Sequence, residues 1–91
     1  MVIQSKDIKE LFSLLSEKKI SRENAQEKAI TVRDSYDNEN LEFYPKEHEN
    51  KIWDAVQFIE LFAEKVEENT YLYSENDLTN YIMKNGWDAE E

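Results

Sequence analysis

The sequence predicts an all-α chain, a small four-helix bundle around a central, strongly apolar third helix. Three observations carry this reading. Apolar residues recur at i, i+3, i+4 and i+7 through most of the chain. Helix start and stop signals stand at Ser21, Ser74 and Gly86. The chain has 91 residues of which 40% are apolar, enough for one domain over 1–91 with one modest core and no deep cleft.

The first helix, about residues 6–18, aligns Ile8, Leu11, Phe12 and Leu15 on one face. Ser5 is its expected N-cap, and Lys18 and Lys19 suit the negative end of the helix dipole. The second, about 22–35, starts after Ser21, with Ile20 and Ala25 placed as a hydrophobic staple. Its apolar stripe is Ala25, Ala29, Val32 and Tyr36, and the small alanines permit close approach of a neighbour.

Asp37-Asn38-Glu39-Asn40 favours turns, and Pro45 disfavours the α region at Tyr44, so residues 36–49 are expected to form an acidic loop, with room for one helical turn at Glu39–Phe43. The third helix, about 50–67, carries Ile52, Val56, Ile59, Ala63 and Val66 along one face. Trp53, Phe58 and Leu61 lie on others, which predicts burial on several sides. In the fourth, about 75–85, Ser74 and Asp77 form a capping box and Tyr73 is placed to staple on Leu78. Leu78, Tyr81 and Ile82 make its inner stripe, and Gly86 lets Trp87 fold back on Ile82 as in a Schellman motif. Asp88–Glu91 is expected to be a frayed tail.

The catalytic inventory is thin. The chain has no cysteine, hence no disulfide or thiolate zinc site, which fits a reducing cytoplasm. One glycine argues against phosphate-cradling loops. No run is long enough to span a membrane. The sole histidine, His48, lies among Glu47, Glu49 and Lys51 and reads as a solvated loop residue. Glu60 and Glu64 fall at i, i+4 but lack the histidines of a di-metal bundle, and read as a solvated acidic face. Calcium-loop spacing fails from both Asp34 and Asp37. No enzyme, metal or cofactor is expected.

Charge is more informative. The formal net charge is −10, but residues 1–33 carry +2, residues 34–49 carry −5 and residues 60–91 carry −7. Such a chain repels nucleic acid and anionic lipid, and attracts basic partners. Tyrosines interleave with the acids at Tyr36–Pro45 and Glu67–Glu75. Tyrosine is a favoured interface anchor, and carboxylates around it give complementarity to lysine and arginine. Phe43 and Tyr73 are assigned to the core and Tyr44 to an interface, with Tyr71 balanced between the two.

The run Leu41-Glu42-Phe43-Tyr44-Pro45-Lys46-Glu47 resembles the tyrosine–proline segment of the immunity proteins that protect bacteria against nuclease colicins. Those proteins are small acidic four-helix domains, in which an Asp-Leu-Ile-Tyr-Tyr-Pro segment forms a short third helix whose tyrosines contact the toxin. Phe43 and Tyr44 match the two tyrosines by position. The long apolar helix after this segment departs from that family's short last helix. More of the chain resembles small bacterial immunity proteins of toxin–immunity systems, including those of contact-dependent growth inhibition and tRNA-cleaving toxins. The matching runs are Ile20–Ala25, Ile52–Phe62 and Tyr71–Leu78.

The resemblance and the charge together imply a cytoplasmic immunity protein that neutralises a basic nuclease toxin domain as a heterodimer. Its expected contacts are Asp37, Glu39, Glu42, Tyr44, Glu47, Glu67, Glu68 and Tyr71. Two other readings stand beside it: a non-catalytic regulatory or structural subunit of a larger complex, and a DNA-mimic inhibitor of a nucleic-acid-binding protein.

Overall fold

A computed structural model describes residues 1–88. Val2–Gln4 forms β1 and runs into α1 (Ser5–Ser16), followed by α2 (Arg22–Asp37) and β2 (Glu42–Tyr44). A 3-10 turn at Lys46–His48 leads into α3 (Glu49–Phe62), then β3 (Lys65–Glu67), β4 (Thr70–Tyr71) and α4 (Glu75–Lys84). The described residues are mostly helical, with four α-helices, but two small sheets correct the strictly all-α expectation. Of the tail expected at Asp88–Glu91, residues 89–91 lie outside the described residues.

The core gathers on α3. Ile52, Ala55, Val56, Ile59 and Phe62 are buried there, against Ile8, Phe12 and Leu15 of α1, Ala25, Ala29 and Val32 of α2, and Leu78 of α4. Each large aliphatic or aromatic side chain so buried contributes about 1.5–3 kcal/mol. Ala25, Ala29 and Ala55 are small enough for α2 and α3 to form the most extensive helix pair. Phe12 joins the layers, its ring centre 5.8 Å from those of both Tyr81 and Trp87. Burial of α3 is less complete than its sequence suggests, since Leu61 is 44% exposed.

Contrary to expectation, α3 stops at Phe62 and residues 65–67 are a strand paired with β4. Extending the helix would drive Glu64, Glu67 and Glu68 into the negative end of its dipole. Instead Arg22 donates to the Phe62 carbonyl and Gln26 to the Glu60 carbonyl, both at 3.0 Å, supplying partners from α2 for the last turn. Val66, expected on the apolar face, is 59% exposed.

The segment 36–49 is likewise not all loop. β2 pairs in parallel with β1, with Val2 opposite Glu42, Ile3 opposite Phe43 and Gln4 opposite Tyr44. Neither the helical turn at Glu39–Phe43 nor a short helix like that of the colicin-immunity segment forms. Ile3 is buried by this pairing and Phe43 packs half-buried on the core.

Helix ends follow one rule more often than expected. Ser21 and Ser74 cap α2 and α4 as anticipated, accepting from Asn24 N–H at 3.0 Å and Asp77 N–H at 3.1 Å. For α1 the N-cap is Gln4 rather than Ser5; its N–H donates to Asp7 at 2.9 Å, and Ser5 is buried. Three helices end in Schellman motifs with a left-handed residue: Lys18 (φ 58), Glu39 (φ 56) and Gly86 (φ 74). The diagnostic bonds run from Lys19 N–H to Leu14 O, Asn40 N–H to Ser35 O and Trp87 N–H to Ile82 O. Lys18 and Lys19 therefore lie beyond the helix and form its ending, rather than decorating its last turn.

Candidate partner-binding surface

The eight residues expected at an interface fall on two separate parts of the molecule. The first lies where α2 ends and β2 and the 3-10 turn follow. Side chains alternate across a strand, so the parallel register sends Ile3 and Phe43 inward and places Val2, Glu42 and Tyr44 on the opposite face. Tyr44 is 64% exposed, and Asp37, Glu39, Glu42 and Glu47, within seven residues of it along the chain, are exposed as well. Glu39 also holds the left-handed conformation that ends α2.

An aromatic ledge accompanies this group. Tyr36 is 49% exposed and stacks on Trp53, ring centres 4.3 Å apart, while Phe43 meets Trp53 edge-on. The sequence spacing puts Tyr36 on the buried stripe of the second helix, but it is exposed. It lies at the open end of α2, and the indole opposite belongs to another helix. No sequence spacing encodes that meeting.

The second group sits at the β3–β4 hairpin, where Glu67 and Glu68 are exposed and Tyr71 is half-buried. Tyr71 donates its hydroxyl to Glu23 Oε1 at 3.0 Å. That bond raises the tyrosine above its usual 10.0, with burial and the Glu23 charge acting in the same direction and Arg22 opposing them. The Arg22 guanidinium lies 3.8 Å from the Phe62 ring centre and 4.0 Å from that of Tyr71. Tyr71 is thus held by intramolecular contacts, whereas Glu67 and Glu68 point to solvent.

The two groups do not converge. Arg22 meets Phe62 at one end of the α2–α3 pair and Tyr36 meets Trp53 at the other. The 16 residues of α2 span about 24 Å between them. A partner contacting both must cover the whole length of the helix.

His48 differs from its expected solvated state. It is half-buried, and its Nδ1 lies 3.1 Å from the Oγ of Ser5, tying the 3-10 turn to the start of α1. Ser5 is only 4% exposed, which closes it to a substrate, and no carboxylate partner of the imidazole is found among the described residues. The pair is a part-buried polar tether between the 3-10 turn and α1. Among the described residues no cluster of three histidine, cysteine or acidic side chains is placed to hold a metal ion, and no helix is long and apolar enough to cross a membrane.

No family model, curated protein or solved structure matches this chain.

Proposed function

We propose that this chain is an immunity protein that binds a basic bacterial toxin domain, a nuclease, as a cytoplasmic heterodimer. The observation that carries the reading is that Asp37, Glu39, Glu42, Tyr44 and Glu47 are all exposed along the stretch from the end of α2 through β2 to the 3-10 turn, with the Tyr36–Trp53 ledge at the same end of α2. Nuclease surfaces are positive because their substrate is polyanionic, so an acidic surface competes for the same field. Tyr44 and the ledge supply apolar anchor area, and the carboxylates supply steering and register. Inhibition sufficient for a producing cell needs about nanomolar affinity, near −12 kcal/mol, which a standard interface reaches when a few central anchors dominate. Glu67 and Glu68, at the other end of α2, form a second, separately mutable patch.

The test is co-purification with the product of the neighbouring gene, followed by a nuclease assay with and without this protein. Inhibition that is lost in Tyr44→Ala, with about 2 kcal/mol or more of lost affinity, supports the reading. Association that does not slow between about 50 mM and about 500 mM salt removes its electrostatic part.

One observation favours the regulatory-subunit reading. An apolar groove of about 470 Å³ runs between α1 and α2, lined by Leu11, Leu14 and Val32. Tyr44 does not line this groove, so binding that tolerates Tyr44→Ala but not Leu14→Glu would favour this second reading.

A further inference from the structure

Away from the acidic end, α3 and α4 enclose an open cleft of about 410 Å³. Its floor is aromatic. The rings of Phe58 and Tyr81 stack in parallel with centres 3.9 Å apart, and Tyr73 lies 5.2 Å from Phe58. Asp54 and Asp77 stand on the rim, opposed by the single ammonium of Lys84. One oxygen of Asp54 accepts from the Tyr81 hydroxyl, which leaves the other oxygen for a second donor. Leu61, 44% exposed, adds apolar wall.

The same chain shows what such rings attract. Arg22 lies over Phe62, Lys51 over Trp87 at 4.4 Å, and Lys65 over Tyr71 at 5.3 Å. None of these three cations lies over Phe58, Tyr73 or Tyr81. A ring face bounded by carboxylates attracts a cation twice, through its quadrupole and through the net negative rim.

We propose that this cleft is a socket for an arginine side chain of a basic protein partner. The guanidinium packs against the aromatic side chains that line the cleft, donates to Asp54, and lays its alkyl stem along Leu61. Arginine suits the site better than lysine because its planar, weakly hydrated head both stacks and forks onto a carboxylate. The proposal rests on the reading of this chain as a binder of a basic protein, and it adds a further contact region, between α3 and α4.

The socket is tested without any toxin, by titrating the intact protein with N-acetyl-arginine amide while following aromatic ring protons by NMR. Saturable shifts confined to Phe58, Tyr73 and Tyr81 are expected. They should weaken about threefold or more in Asp54→Asn and be reduced by added salt in the unaltered protein. The lysine analogue should bind more weakly, and the uncharged norleucine analogue should leave the rings unmoved. Equal shifts with norleucine, or arginine shifts mapping elsewhere, overturn the proposal. Because the probe is a single amino acid, this result is independent of whether the neighbouring gene encodes a toxin.

Discussion

Arg22 stacks its guanidinium on the ring of Phe62, 3.8 Å from its centre, while its Nη1 donates to the Phe62 carbonyl at 3.0 Å. Nη1 also reaches the Tyr73 carbonyl at 2.6 Å, and Nη2 faces Glu75 at 3.4 Å. One side chain, 13% exposed, joins the start of α2 to the end of α3 and the approach to α4. Arg22→Met should cost about 2–3 kcal/mol, the scale of charge-assisted hydrogen bonds left unmade. Arg22→Lys should restore less than half, because a compact ammonium donating to the two carbonyls cannot also lay a planar group on the Phe62 and Tyr71 rings and reach Glu75. Urea-unfolding midpoints measure both; a loss below about 0.5 kcal/mol would reduce Arg22 to an ordinary surface contact.

The three left-handed helix endings make a matched set. Lys18 and Glu39 carry a Cβ penalty of about 1 kcal/mol that Gly86 avoids. Replacing either by glycine should stabilise the fold by about 0.5 kcal/mol, the remainder being offset by greater freedom of the unfolded chain. Gly86→Ala should destabilise by about 1 kcal/mol for conformational reasons alone, since the added Cβ meets only Lys51 Nζ at 3.8 Å. Thermal unfolding of the three variants checks the signs.

Val66 and Ile59 separate the helix that forms from the longer one that the sequence suggests. Ile59, 1% exposed, should lose about 2–5 kcal/mol on replacement by alanine. Val66, 59% exposed in β3, should change by no more than about 0.5 kcal/mol. A large loss at Val66 would return residues 65–67 to the core.

Alkaline stability should depend on Tyr81. Burial, and then its hydrogen bond to Asp54 and that residue's charge, pushes the hydroxyl well above its usual 10.0. The unfolded chain releases this proton near pH 10 while the folded one retains it. The associated stability is therefore complete below about pH 10 and is lost as pH rises above it. Tyr81→Phe should lower stability at neutral pH by about 1 kcal/mol and flatten the alkaline decline. Tyr71, raised in the same direction by Glu23, should leave a residual slope. Denaturant midpoints on either side of about pH 10 decide it; an unchanged slope would remove the role of Tyr81.

Of the proposed interface, the sequence marks the exposed acids and Tyr44, because charge and side-chain type are local properties. It does not show that Tyr36 meets Trp53, that Tyr71 is claimed by Glu23 and Arg22, or that Phe58 and Tyr81 floor a cleft. Each of these joins residues from different elements, so no spacing along one element reports it.

The sequence by itself determined the four helices, their stripes at Ile8–Leu15 and Ile52–Phe62, the caps at Ser21 and Ser74, and the ending at Gly86. These depend on contacts within a few residues, where periodicity and capping chemistry act. Only the tertiary structure decided that Val2–Gln4 and Glu42–Tyr44 are strands, because each is too short to signal itself and gains its hydrogen bonds only from the other, about 40 residues away. It also decided where α3 stops, because the side chains that satisfy its last carbonyls come from Arg22 and Gln26 on a different helix.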